Sequence, residues 1–294
     1  MPDIARAGIV AKTRLDEAAG VIAELAGWLE ARGVRPIFDT ETARLVGLPR
    51  DRPTASRDDL PHECDLLVVL GGDGTLIGMA GRVANAGVDI PILGVNFGSL
   101  GFLTEITLPE LYASLEATLG GTAQIESRLM LRAQTIRGAT VCSDRLALND
   151  VVITKGALAR IIDLAVVIGG HPIMRVRADG LIIASPTGST AYNLAAGGPI
   201  VHPAVDALLL TPIAPHMLTN RPIVVPAESE IRVQAAEGAS NEELFVTLDG
   251  QSVHALEADD VVVVRRAARP VRLVRSVTRT YFDVLREKLK WSER

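Results

Sequence analysis

The stretch DLLVVLGGDGTLIGMAGRVA, Asp65–Ala84, runs five apolar residues into two glycines, an aspartate and a third glycine, and then into apolar residues at helical spacing. That order describes a buried strand, a tight turn and a helix. In an open α/β sheet the loop at the carboxyl end of a strand is where ligands sit. The helix that follows aims its free N–H groups and positive dipole end at them. Gly71, Gly72 and Gly74 let the backbone approach a ligand without Cβ interference, so the turn has the form of one that receives something negative. It nevertheless carries an acid, Asp73. It is not a P-loop, because no Lys follows, and it is not a dinucleotide fingerprint, because Gly78 falls one residue late after Gly72 and Gly74. Asp73 has two readings at this point. It is a helix cap, or it is a carboxylate placed to take a proton from an attacking hydroxyl or to help hold Mg²⁺.

Outward from this turn, the first 120 or so residues alternate strand and helix patterns. AGIVAK reads as a strand, LDEAAGVIAELAGWLEARG as a helix stopping at Gly33, VRPIF as a strand, and PILGVN as the strand after the glycine turn. GLPRDRPTASRDDLPHEC, rich in Pro and Asp, reads as a surface loop. Helices between buried apolar strands imply right-handed βαβ units on a parallel, Rossmann-like sheet.

From about Ile125 the pattern becomes short β-rich runs broken by Gly, Pro, Asn-Asp and Asp-Gly, which predicts an antiparallel, sandwich-like domain. TYFDVLREKLKW near the end has helical spacing. The expected division is 1–124 as the α/β domain, 125–275 as the β-rich domain, and 276–294 as a C-terminal helix packing back on the first. A chain of 294 residues exceeds the ~100–200 of a usual single domain. Within the second half, RADGLIIASPTGSTAYNLAAGGPIVHP, Arg177–Pro203, concentrates hydroxyls, an amide, glycines and the Tyr192 ring. It reads either as a Ser/Thr-rich turn region or as a loop that bonds ribose while Tyr192 packs on a flat ring.

With 48% apolar and 22% charged residues the chain is globular, and a net charge of −5 argues against a general nucleic-acid binder. Arg265, Arg266, Arg269, Arg272, Arg275 and Arg279 fall at mixed spacing and read as solvated or inter-subunit faces. Cys64 and Cys142 form no CxxC and suit a reducing compartment. No signal-peptide pattern opens the sequence and no window approaches a membrane span, so a cytoplasmic protein without membrane or nucleic-acid partners is expected. The scattered histidines lack metal-site spacing and read as structural.

GGDGT, the Asn149-Asp150 pair and DGLIIASPTGSTAYNLAAGGPIVHP, in that order, closely resemble the bacterial ATP-dependent NAD kinase family, from about Ala7 to Arg286. GGDGT alone is shared with diacylglycerol-type lipid kinases and, in related form, with phosphofructokinases. The resemblance implies an N-terminal α/β domain and a β-rich C-terminal domain with the active site between them, in a homodimer or homotetramer. It implies transfer of the ATP γ-phosphoryl, with Mg²⁺ or another divalent cation, to the 2′-hydroxyl of the NAD adenosine ribose, giving NADP and ADP. By position it makes Asp73 the catalytic base, with Gly74 beside it at the NAD, and Gly71, Gly72, Gly74 and Thr75 the phosphate loop. Asn149 and Asp150 hold the ribose or adenine side, and Arg160, Arg177 and Asp179 match polar contacts. Thr190, Ala191, Tyr192, Asn193, Leu194 and Ala195 line the dinucleotide pocket, and Gln251 is a late contact. The family more often has Glu where this chain has Asp150, one methylene shorter in reach.

Two other readings share some of these features. A lipid kinase would need an apolar acceptor pocket and membrane access, for which no basic amphipathic segment is present. A non-catalytic NAD(P) sensor would use the ribose contacts but have no need of Asp73.

Overall fold

The structure, a computed structural model, describes residues 4–12, 18–49, 51–156, 161–217, 219–236, 244–257 and 259–291. The chain divides into two compact units, Met1–Ser127 with Val271–Arg294, and Arg128–Pro270.

In the first unit the strands are β1 (Arg6–Ala11), β2 (Arg35–Asp39), β3 (Thr54–Ala55), β4 (Leu66–Leu70), β5 (Pro91–Asn96), β6 (Ile106–Thr107) and β7 (Ile125–Arg128). Its helices are α1 (Ala18–Glu30), α2 (Thr40–Leu45), α3 (Leu60–Glu63), α4 (Asp73–Ala86) and α5 (Leu111–Leu119). The apolar spacing seen in the sequence becomes one buried face on each long helix: Ile22, Leu25, Ala26 and Leu29 on α1, and Leu76, Met79, Ala80 and Val83 on α4. β4 is buried at every residue because helices cover both sides of a parallel sheet. The strand order is β3-β2-β1-β4-β5, with β1, β2, β3, β4 and β5 paired in parallel. The order reverses between β1 and β4, so the glycine turn leaves β4 at the topological switch point of the sheet.

Two details differ from the sequence reading. The Pro/Asp-rich stretch after Leu48 is not loop throughout, since it contributes β3 and α3. The run VRLV, counted above with the β-rich half, forms a strand at Val271–Val274 that pairs in parallel with β5 in the first sheet. A run of four residues with one basic residue among apolar ones carries no mark of which sheet it joins; its partner, β5, is distant in sequence.

The second unit contains two six-stranded antiparallel sheets. Its strands are β8 (Leu131–Arg137), β9 (Thr140–Ala147), β10 (Asp150–Lys155), β11 (Ile162–Ile168), β12 (His171–Ala178), β13 (Gly180–Ala184), β14 (Ala207–Ile213), β15 (Ile223–Pro226), β16 (Ile231–Ala235), β17 (Leu244–Leu248), β18 (Ser252–Leu256) and β19 (Val261–Arg266), and β20 is the Val271–Val274 strand of the first sheet. Strands such as β8 and β11 alternate buried and less buried positions, as one covered face requires. Their inward residues, among them Leu131, Leu164 and Val264, meet Val151, Ile183, Leu210 and Val246 of the opposite sheet in one core. β13 is buried at all five positions. Its outward Ile182 and Ala184 pack with Val152, Leu209, Ala196 and Val201, so the polar loop that follows β13 folds back over that face.

Candidate active site

In the first unit, α4 starts at Asp73 with Gly72 as its N-cap, and Gly72 has no side chain to cap with. Asp73 is therefore not the cap, and its carboxylate is used elsewhere. Oδ1 accepts from the backbone N–H groups of Leu103 at 3.1 Å and Thr104 at 2.9 Å, and from the Thr104 hydroxyl at 2.9 Å. Oδ2 accepts from the Phe102 N–H at 2.9 Å. A carboxylate has about four lone-pair sites on its two oxygens, so Oδ1 is saturated and Oδ2 keeps room for one further partner. Close approach requires Gly101, because a Cβ there would lie 2.0 Å from Asp73 Oδ1 and 2.4 Å from Thr104 Oγ1. Asn96 at the end of β5 fixes the same loop, donating to the Ser99 carbonyl at 2.5 Å and to Thr104 Oγ1 at 3.2 Å. Asp73 is thus held between the loops leaving two adjacent strands, β4 and β5.

In the second unit a cavity of about 350 Å³ is lined by Asn149, Asp150, Val152, Thr154, Ala191, Tyr192, Thr247, Asp249 and Gly250. Asp249 orders its floor. Its carboxylate accepts from the N–H groups of Leu148 at 2.8 Å, Asn149 at 2.7 Å and Asp150 at 3.1 Å, and its own backbone is left-handed, with φ of 50°. Burial pushes the Asp150 carboxyl up to about 7, and the adjacent negative Asp249 adds to the rise. Asp249 is also raised by burial, with the three N–H bonds working against the rise. Among the described residues no donor is bonded to the Asp150 carboxyl, which leaves it for whatever enters the cavity. Tyr192 is 45% exposed, so its ring presents an open face at the rim.

Residues 7–123 match the ATP-NAD kinase N-terminal domain and residues 148–276 match the ATP-NAD kinase C-terminal domain. The chain is 50% identical over 286 residues to the NAD kinase of Geotalea daltonii, covering 97% of this chain and 98% of that protein. The chain belongs to the ATP-NAD kinase family. Its activity is that of an NAD kinase, a phosphotransferase. Among solved structures, yeast NADH kinase complexed with NADH matches at a TM-score of 0.90 and 26% identity, over 100% of this chain and 90% of that one. An NAD kinase from Archaeoglobus fulgidus in complex with ATP matches at 0.74 and 27%, over 96% and 99%. The α/β unit with a parallel sheet and the antiparallel β-rich unit are those of the NAD kinase fold.

The other positions that the family resemblance nominates are distributed unequally. Of the run Thr190–Ala195, only Ala191 and Tyr192 line the cavity. Asn193 is fully enclosed and its amide is consumed internally. It donates to the carbonyls of Ser189 and Pro199 at 3.0 Å each and accepts from the Thr211 hydroxyl at 2.6 Å, so it holds the loop in shape. Thr190, half-buried, donates to the Thr187 carbonyl, while Leu194 and Ala195 lie on the short helix Tyr192–Ala195. Asp179 pairs with Lys155 at 2.8 Å and Arg177 is exposed on the edge strand β12. Gln251 is exposed in the turn next to Gly250. Arg160 lies outside the described residues. Gly71, Gly72, Gly74 and Thr75 form the turn, with the Thr75 N–H bonded back to the Gly72 carbonyl at 3.0 Å.

Sequence reasoning did not nominate Phe102–Thr104 or Asp249. NFGSLGF after β5 is a second glycine-rich loop at a strand's carboxyl end, and Asp249-Gly250 is an Asp-Gly turn, but neither pattern says which side chain it serves.

Proposed function

We propose that the chain transfers the γ-phosphoryl group of ATP to the 2′-hydroxyl of the NAD adenosine ribose, giving NADP and ADP, with Asp73 as the base. The observation that carries this is the uneven loading of the Asp73 carboxylate, three donors on Oδ1 and one on Oδ2. Oδ2 is thereby a fixed acceptor for one hydroxyl proton. Phosphoryl transfer through a loose transition state needs the hydroxyl positioned more than fully deprotonated, and a weak base suffices to take the proton late. Asn149, Asp150 and Tyr192 hold the adenosine end of NAD in the 350 Å³ cavity, Asp150 accepting from a ribose hydroxyl.

For ATP, the glycine turn offers the backbone N–H groups of Asp73 and Gly74 at the start of α4, a 14-residue helix, and its dipole. Lys12 leaves β1 at the same edge, its Cβ 3.3 Å from where a Cβ on Gly71 would stand, and contributes a cation there. Among the described residues no group of three or more His, Cys, Asp and Glu is arranged to hold a metal ion. This suits a divalent cation, Mg²⁺ among them, that is carried in on the ATP phosphates. Such an ion offsets charge on the transferred group. Among the described residues no helix is long and apolar enough to cross a membrane, and we place the enzyme in the cytoplasm as a homodimer or homotetramer.

Incubation with NAD and Mg-ATP, read with an NADP-specific dehydrogenase, is expected to give ATP-dependent product that EDTA abolishes. Folded protein that binds NAD without turnover would refute the assignment.

Asp150 provides a pH test. Because its folded-state value is raised, its contribution to stability is present below the ordinary 3.8 and is lost as pH rises through about 7. At ~1.4 kcal/mol per tenfold change in ionisation, the ionised form costs the fold up to about 4 kcal/mol. Asp150→Asn should therefore melt higher than the parent near pH 8, with the gain vanishing near pH 4, while its KM for NAD rises. Melting curves that shift equally at both pH values would show that Asp150 is not a strained carboxylate.

A further inference from the structure

Arg275, read from the sequence as part of a solvated or inter-subunit face, is instead buried in the first unit at 8% side-chain exposure. Its Nε meets Glu105 Oε1 at 3.0 Å, and its Nη1 meets Glu126 Oε2 at 3.1 Å. The same Glu105 oxygen accepts the Ser276 N–H at 2.6 Å, and the Glu105 carbonyl accepts from Arg279 at 3.2 Å. Arg279 also grips Glu110, at 2.9 and 2.7 Å. Beyond it, the C-terminal helix α7 (Tyr281–Leu289) sets the Lys288 ammonium 5.6 Å from the centre of the Phe102 ring.

Apart from the Arg275–Glu126 pair, these contacts fall on one short segment, residues 102–110. Glu105 directly follows Phe102, Leu103 and Thr104, the three residues whose N–H groups seat Asp73. A buried ion pair is a poor source of net stability, since desolvation offsets most of the attraction, but it fixes geometry and is costly to break from one side. Its position here, one residue from the donors of a carboxylate that must aim one oxygen, gives that geometry a use.

We propose that the returning C-terminal segment positions Asp73: Arg275 and Ser276 clamp Glu105, and Glu105 holds the Phe102–Thr104 donors in register with the carboxylate. Glu105 and Arg275 are positioning residues, and they touch neither substrate. The inference rests on Asp73 being the base.

The test compares Glu105→Gln, Arg275→Lys and Asp73→Asn, singly and with Glu105→Gln combined with Asp73→Asn, by steady-state kinetics on protein shown to be folded. Misplacing a reacting group by about an ångström can cost on the order of 10²-fold. Glu105→Gln is accordingly expected to lower kcat by roughly 10- to 100-fold with KM for NAD within about twofold, and Arg275→Lys, which keeps the charge, to fall in between. In the Asp73→Asn background the Glu105→Gln change should cost less than about threefold, because the group it positions is already gone. As a control for general destabilisation, Asp260→Asn breaks the Arg137–Asp260 pair of the second unit, at 2.8 Å, and should leave kcat unchanged.

Parental kcat in folded Glu105→Gln and Arg275→Lys, or an equal loss with and without Asp73, overturns the proposal. Should Glu105→Gln not fold, Arg275→Lys decides alone. Full turnover in Asp73→Asn would instead defeat the base assignment, which separates the two failures.

Discussion

Asp73→Asn is expected to lower kcat by roughly 10²–10⁴, the usual contribution of a general base, while KM for NAD changes little. The substitution keeps the shape and the Oδ1 acceptor, so the bonds from Leu103 N–H, Thr104 N–H and the Thr104 hydroxyl survive. The amide nitrogen takes the place of Oδ2, where it confronts the Phe102 N–H with a second donor. That conflict costs on the order of 1–3 kcal/mol, so a modest fall in melting temperature should accompany the loss of turnover. The chemistry suffers more than the fold because the amide cannot accept the hydroxyl proton as phosphoryl transfer proceeds. Steady-state kinetics beside a thermal melt measures both. Turnover near that of the parent would remove Asp73 from proton transfer and leave it a structural acceptor for the loop after β5.

The elements around the glycine turn were legible because each announces itself locally. β4 is an unbroken apolar run, α4 repeats buried residues at Leu76, Met79, Ala80 and Val83, and Gly72 marks the junction. The antiparallel half was legible for the same reason, through period-two burial in strands such as β8. What the sequence hid is what depends on partners far along the chain. Asp73 reads as a plausible cap until the segment about thirty residues on supplies its donors. Asp249 reads as a turn residue until its carboxylate collects N–H groups about a hundred residues away. Arg275 is one of six arginines between 265 and 279 that the sequence does not tell apart, and only tertiary packing buries it against Glu105. Within TAYNLA the residue types suggest six equal contacts. The short helical turn sends Asn193 inward and leaves Tyr192 at the rim, a difference set by backbone direction.

Gly188→Ala should be the most damaging small substitution in the second unit. A Cβ at Gly188 would lie 2.0 Å from the Asn149 carbonyl oxygen, 2.5 Å from its carbon and 2.7 Å from its Cα, all backbone atoms with no rotamer to yield. Nor is that backbone free to shift. The Asn149 carbonyl accepts the Ser185 N–H at 2.9 Å, the Leu148 carbonyl accepts the Ser185 hydroxyl at 2.5 Å, and Asp249 holds the N–H groups of Leu148, Asn149 and Asp150. The methyl can be admitted only by prising the Ser185–Ser189 turn off the Leu148–Asp150 segment. Overpacking of this kind costs ~1–3 kcal/mol, and each hydrogen bond lost adds about 1 kcal/mol, so a loss of about 3 kcal/mol or more is expected by urea denaturation. The two segments being separated carry Asn149 and Asp150 on one side and Ala191 and Tyr192 on the other, so KM for NAD should rise by about tenfold or more, in line with ~1.4 kcal/mol of binding. Gly27→Ala is the matched control: Gly27 sits in α1 with nothing within 4 Å of a Cβ. There alanine should stabilise by about 0.5–1 kcal/mol. If Gly188→Ala instead unfolds at the parental urea concentration and binds NAD normally, the two segments part without cost, and the pocket does not depend on their contact.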